Sequence, residues 1–95
     1  MQKPSLRASQ LLKSLSHPDR LLLLCQLTQG EYCVGELEKL VGVAQPSLSQ
    51  QLGILRKDKV VATRREGKQI YYRIACEDAL AILKLLYQRF CSKTA

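Results

Sequence analysis

The chain has 95 residues, enough for one small domain over residues 1–95, and an apolar fraction of 46%, which excludes a disordered chain. Its formal net charge of +7 indicates a polyanionic partner, either nucleic acid or an acidic membrane surface. Residues 1–7 lack the apolar core of a signal peptide, and no apolar run is long enough to span a bilayer, so we expect a cytoplasmic protein that does not insert in a membrane.

In chain order, apolar residues at helical spacing predict four helices: residues 5–15, about 18–29, 34–41 and 46–57. Pro18 and Pro46 stand at the predicted first turns of the second and fourth helices, where proline is tolerated. Gly30 and Gly42 follow the predicted ends of the second and third helices, as glycine often does. Because only a short turn with Gly42 separates the third and fourth helices, they fit a helix-turn-helix.

A β-hairpin and a last helix follow. Residues 60–65 and 69–74 contain β-branched or aromatic residues around a turn at Gly67, so they predict two strands placed as a wing. Residues 77–91 predict a helix with an apolar face that is too large for a solvated end helix and that we expect to face a partner. The expected fold is mainly α with a β-hairpin wing, a winged helix-turn-helix in the order α-α-α-α-β-β-α.

The fourth predicted helix has two unlike faces. Leu48, Leu52 and Leu55 share one side. The opposite side and its flanks are rich in short polar and amide side chains, which can bond base edges or phosphates, and also carry Ile54, which could touch a thymine methyl group. The residues predicted to approach bases or nearby phosphates are Gln45, Ser47, Ser49, Gln50 and Gln51. Those predicted to hold the DNA backbone are Arg56, Lys57, Arg64, Arg65 and Lys68. A polar face and a charged hairpin that are merely solvated are the alternative.

Four stretches of the chain together form a specific pattern. They are LSHPDRLL at 15–22, VGEL at 34–37, QPSLSQQL at 45–52 with Leu55 and Arg56, and RREGKQIYY at 64–72. This pattern resembles the ArsR/SmtB family of winged-helix transcriptional repressors. The resemblance implies a homodimer joined through its first and last helices. It also implies binding to an inverted-repeat operator in double-stranded DNA, and release when a signal is sensed.

The chain departs from the family pattern at two positions. The family often has His where Gln51 stands, so the contacts made there are expected to differ. It usually has Gly where Lys59 stands, just after the fourth helix. If that position needs a positive φ, Lys59 carries a conformational cost that Gly would avoid.

The sites that metal-sensing members of the family use are incomplete here. One of these sites has a motif that resembles Cys-Val-Cys. The corresponding stretch here is CVG at 33–35, so Cys33 supplies only one of the two thiols of that motif. Another uses carboxylates and histidines on the last helix, which here has Glu77 and Asp78 but no His. The only histidine, His17, stands at a helix start and is expected to be structural. We therefore expect no metal or other cofactor, with Cys33 as the one candidate for an arsenic-type site.

The four cysteines, Cys25, Cys33, Cys76 and Cys91, are not expected to form a secreted disulfide framework, because their spacing is wide and the chain has a helical core of its own. The contexts of Cys25 on the second helix and Cys91 on the last resemble the persulfide-sensing branch of the family, the BigR, SqrR and HlyU type. That resemblance implies a dithiol switch that reactive sulfur species or an oxidant closes by a disulfide or a polysulfide bridge. Two ordinary buried cysteines are the alternative, and Cys76 is expected to be a bystander.

Two further functions stay open: a metal- or metalloid-responsive repressor that uses Cys33, and a DNA-coating or interaction module without an inducer. An enzyme is not expected, because the chain has one His, no placed acid–base pair and no phosphate-binding loop.

Overall fold

The structure, a computed structural model, describes residues 3–90 in full and the backbone of Cys91. Its helices are α1 (Pro4–Leu15), α2 (Pro18–Leu27), α3 (Val34–Val41), α4 (Ser47–Lys57) and α5 (Glu77–Leu86). The strands β1 (Tyr32–Cys33), β2 (Val61–Glu66) and β3 (Gln69–Ile74) form an antiparallel sheet in the order β1-β3-β2. The predicted helix-turn-helix and wing are confirmed. The two-residue strand β1 was not predicted, since it is too short to show a period.

The helix boundaries follow local hydrogen bonding. His17 is the N-cap of α2, and its Nδ1 accepts a hydrogen bond from the backbone N–H of Asp19 (3.1 Å), so its expected structural role is confirmed. α4 begins one residue later than predicted, because Pro46 is its N-cap and the carbonyl of Pro46 accepts from the N–H of Gln50 (3.1 Å). Gly42 ends α3 with a φ of 72°, the left-handed conformation that glycine adopts without strain.

The end of the last helix differs from the prediction. The α-helix stops at Leu86, and Tyr87–Cys91 form a π-helical turn. The apolar period that predicted a continuous helix does not distinguish these two hydrogen-bonding patterns. Within residues 3–91, no helix combines the length and the apolar character needed to cross a membrane.

A leucine core holds the helices together. α2 and α4 pack on each other, and α3, α5 and β2 close the core around them. The leucines that lose almost all of their exposure are Leu23, Leu24, Leu37, Leu48, Leu52, Leu55 and Leu83. Because the apolar side of α4 faces this core, its polar side is left on the surface.

Candidate nucleic-acid interface

The exposed side of α4 carries four of the ten residues predicted to contact DNA. Ser49, Gln50, Arg56 and Lys57 are exposed on the helix, as is Gln45 just before it. The cations stand in the last turn of α4, while amide and hydroxyl groups occupy its first two turns. This face therefore presents hydrogen-bonding groups over several turns of a helix that is fixed from behind by buried leucines.

Two predicted contacts also build the start of α4. The Gln45 side-chain oxygen accepts from the backbone N–H of Ser49 (3.1 Å), so it satisfies one of the unpaired N–H groups of the first turn. Ser47 is half-buried, and its hydroxyl donates to Asp19 Oδ2 of α2 (2.8 Å). Both side chains thus help to hold the helix in the absence of DNA.

Gln51 does not lie on the exposed face, and its predicted position there is wrong. Its side chain is 8% exposed, and its Oε1 accepts from Nη1 of Arg20 (3.0 Å). The wheel position beside the leucine stripe explains the burial, because that side of α4 faces the start of α2. Arg20, Asp19 and Asp58 were not identified as functional residues from the sequence, although Asp19 and Arg20 stand inside the LSHPDRLL stretch.

The chain leaves α4 through a Schellman-type turn. The N–H of Lys59 bonds the carbonyl of Arg56 (3.0 Å) and the N–H of Val60 bonds the carbonyl of Leu55 (2.9 Å). Lys59 has a φ of 63°, so this position does adopt the positive φ that would give a residue other than glycine a conformational cost. A residue other than glycine is strained in this conformation.

The wing is exposed, and its cations differ in their surroundings. Arg64 forms ion pairs with Glu31 (2.7 Å) and with Glu66, and its guanidinium lies 4.9 Å from the ring centroid of Tyr71. The hydrogen bonds from Glu66 and Glu31 raise the pKa of Arg64. Arg65 and Lys68 are exposed, and Arg65 Nε donates only to a carbonyl of the hairpin turn (3.2 Å).

The cysteines lie apart from this face. Cys25 on α2 is half-buried and packs against the core. Cys33 precedes α3, and Cys76 is the N-cap of α5, where its sulfur accepts from the N–H of Ala79 (3.4 Å). Cys91 ends the π-helical turn, and its side chain lies outside the described residues. In the described part of the chain, no three His, Cys, Asp or Glu side chains gather as they would around a metal ion.

The C-terminal end of α2 lies beside the end of the last helical segment. Thr28 and Gln29 line one side of a cleft of about 150 Å³, whose other side is formed by Lys84, Tyr87 and Gln88. The helix that carries Cys25 and the turn that ends at Cys91 are thus neighbours in the fold.

A helix-turn-helix followed by a β-hairpin wing, with hydrogen-bonding groups exposed on its second helix, defines the class of winged-helix DNA-binding transcription regulators. Residues 17–63 match the family model described as bacterial regulatory protein, arsR family. The chain belongs to this family, as its resemblance predicted.

Characterised relatives agree with this assignment. The biofilm growth-associated repressor of Xylella fastidiosa (strain Temecula1) is 50% identical over 93 residues, which is 98% of this chain and 82% of the relative. The crystal structure of the transcriptional repressor BigR from Xylella fastidiosa has a TM-score of 0.86 at 49% identity, covering 94% of this chain and 91% of that one. HlyU from Vibrio cholerae has a TM-score of 0.88 at 37% identity, covering 96% and 99%. These relatives are transcriptional regulators, so the expected non-enzymatic function is confirmed.

Proposed function

We propose that this ArsR-family transcriptional repressor binds an inverted-repeat operator as a homodimer and leaves it when Cys25 and Cys91 become bridged. The observation that carries the DNA-binding part is the exposed face of α4, with Ser49 and Gln50 at its centre and cations at its end. Gln50 pairs with adenine in the major groove, and Ser49 bonds a base edge or a phosphate. Arg56 and Lys57 neutralise the backbone beside them.

The wing adds contacts that depend little on sequence. Arg65 and Lys68 are exposed at the tip of the β2–β3 hairpin, which follows α4 directly. In the complex they reach phosphates or the minor groove, where a cation contributes affinity but little base discrimination. The net charge of +7 supports the same partner.

Exposed apolar side chains on the first and last helical segments support the homodimer. Leu6 and Leu12 on α1 are 47% and 54% exposed, and Leu85 and Phe90 at the other end are 53% and 69% exposed. A small domain gains stability when a second copy covers such side chains. In the dimer the two α4 helices enter successive major grooves about 34 Å apart.

The switch is a two-step thiol exchange. One thiolate attacks the outer sulfur of a persulfide, which becomes a cysteine persulfide as the donor thiolate leaves. The second thiolate then attacks the inner sulfur, which forms the Cys25–Cys91 disulfide and expels hydrosulfide. The two cysteines lose two electrons in total, and the persulfide sulfur accepts them. A bridge that keeps extra sulfur atoms needs a further persulfide to accept the electrons.

The position of α2 beside the π-helical turn supports the coupling of this bridge to DNA binding. A covalent link fixes the last helical segment, which carries the proposed interface, to the helix that packs on α4. A coupling of about 1–3 kcal/mol between the bridge and the operator weakens DNA binding about 5- to 150-fold.

The test is a titration of fluorescent inverted-repeat DNA, selected from a random library by the reduced, metal-free protein. We expect inorganic polysulfide to lower the affinity, dithiothreitol to restore it, and Cys25→Ser or Cys91→Ser to remove the response. Cys76→Ser is the matched control and should respond like the original chain. Unchanged affinity after polysulfide would contradict sulfur sensing. A chelator-reversible loss on metal addition that Cys33→Ser removes would favour a metal sensor, and no enriched repeat would contradict operator binding.

A further inference from the structure

Three polar residues of α4 and its C-cap lie along one line of the helix and all bond to the corner between α1 and α2. Ser47, Gln51 and Asp58 fall within about 40° of one another on a helical wheel, beside the stripe of buried leucines. We call these three residues the α4 polar stripe. From its first to its last member the stripe covers about 16 Å of helix at the usual rise per residue.

The partners of the stripe come from two adjacent turns of the chain. Asp19 in the first turn of α2 accepts from the Ser47 hydroxyl (2.8 Å). Arg20, the next residue, donates from Nη1 to Gln51 Oε1 (3.0 Å). At the far end, the hydroxyl of the 8%-exposed Ser14, in the last turn of α1, donates to Asp58 Oδ2 (2.8 Å).

Arg20 joins these contacts to the end of α1. Its Nε donates to the carbonyl of Ser14 (2.7 Å) and its Nη2 to the carbonyl of Lys13 (3.3 Å). These carbonyls belong to the last turn of α1, whose orphan acceptors need partners. The planar guanidinium therefore connects the end of α1 with the middle of α4 in one fixed geometry.

Directional bonds can fix what leucine packing leaves adjustable. Burial of apolar surface is non-directional, so the leucine stripe tolerates small rotations and shifts of α4 better than directional bonds do. Hydrogen bonds weaken steeply as their angles depart from linear. Bonds at both ends and in the middle of α4 therefore fix its rotation and its position along its axis relative to the corner between α1 and α2, which Arg20 ties to the last turn of α1.

We propose that the α4 polar stripe sets the spacing between half-sites that the dimer accepts, and that Gln51 and Arg20 are positioning residues for this purpose. The inference rests on the proposed function, because α1 is the helix assigned to the dimer interface. Because α1 forms the proposed interface, an α4 helix held in one orientation relative to α1 is also held in one orientation relative to the α4 helix of the other protomer. Gln51 then contributes to specificity without contacting a base.

The experiment uses the inverted repeat that the reduced protein selects from random DNA, the same repeat with one base pair added or removed at its centre, and a single half-site. One base pair displaces a half-site by about 3.4 Å and about 34°. We expect each change to weaken binding by the original chain about tenfold or more. We call this loss of affinity the spacing penalty. Gln51→Met removes the hydrogen-bond acceptor but keeps a side chain of similar size, and it should reduce the spacing penalty severalfold and leave half-site affinity unchanged. Gln51→Glu keeps an acceptor for Arg20 and should restore the penalty.

The controls separate positioning from the other roles of Gln51. Val34→Ala shortens a half-buried side chain away from the stripe, and it should lower the melting temperature without altering the spacing penalty. Loss of half-site affinity in both Gln51 variants would make Gln51 a base contact and overturn the inference. An unchanged spacing penalty in Gln51→Met would also overturn it, while operator binding itself would stand. If no repeat is enriched, operator binding is contradicted, and the inference, which rests on it, is overturned with it.

Discussion

Helix α4 and the wing both carry side chains that we propose to contact DNA, but the protein supports the two elements in different ways. α4 is backed by buried leucines and bonded at Ser47 and Gln51 to α2. The wing is a two-stranded hairpin whose outer half, from Arg64 to Ile70, is exposed. A group that is already ordered loses little conformational entropy on binding, so α4 suits base recognition. Attraction to phosphates needs no fixed geometry, so the exposed cations of the wing are sufficient for it.

The largest expected effect is on the free energy of unfolding, because side-chain packing differs between α4 and the wing. Leu52 on α4 is 1% exposed, so Leu52→Ala should lower the free energy of unfolding by about 2–5 kcal/mol. Ile70→Ala on the wing, where the side chain is 42% exposed, should change it by no more than about 0.5 kcal/mol. Urea unfolding at one fixed protein concentration measures both. Equal losses would contradict the division into a packed and a solvated region.

The next comparison is between Gln50, the proposed base contact, and Arg65, a proposed phosphate contact. Gln50→Ala should reduce the discrimination between selected and scrambled operator by about 1–3 kcal/mol and leave the salt dependence unchanged. Arg65→Ala should weaken both DNAs alike and reduce the slope of log affinity against log salt by about one per protomer.

Anisotropy titrations at several salt concentrations give both quantities. If Gln50→Ala loses as much affinity for scrambled DNA as for the operator, Gln50 is a phosphate contact. An unchanged slope in Arg65→Ala would place Arg65 away from the DNA backbone.

The sequence predicted α4 better than it predicted how α4 is held. Leucine spacing located the helix and its buried side, and the Gly42 and Gly67 turns located the helix-turn-helix and the wing. The burial of Gln51 was missed, because an amide beside a leucine stripe shows no period of its own and its partner Arg20 is distant in sequence. The π-helical turn was missed because helical periods do not specify which carbonyl accepts each bond.

The turn at Lys59, between α4 and the wing, is expected to give a smaller change in stability. Lys59 adopts a φ of 63°, a conformation that costs a non-glycine residue roughly 1–2 kcal/mol. Lys59→Gly removes that strain but adds about 0.4–1 kcal/mol of unfolded-chain entropy, so we expect a net stabilisation between about 0 and 1.6 kcal/mol. Lys57→Gly removes the same charge inside α4 and should destabilise by about 1 kcal/mol. Thermal unfolding of the two variants compares them, and a destabilised Lys59→Gly would contradict the assigned strain.

The smallest expected effect concerns Arg64, the wing cation that is already paired. Glu31 and Glu66 hold its guanidinium, so a DNA phosphate must compete with them. An arginine is already charged throughout the physiological pH range, and Glu66 and Glu31 raise the pKa of Arg64 further, so no pH dependence of binding arises from this group. Glu31→Gln removes one competing carboxylate and should tighten operator binding by less than about 1 kcal/mol, in keeping with an exposed ion pair. Glu38→Gln, which makes the same charge change on the exposed side of α3, controls for net charge and should tighten binding less. Weaker binding by Glu31→Gln would mean that Glu31 orients Arg64 toward the phosphate, and the wing would then be preorganised in the same way as α4.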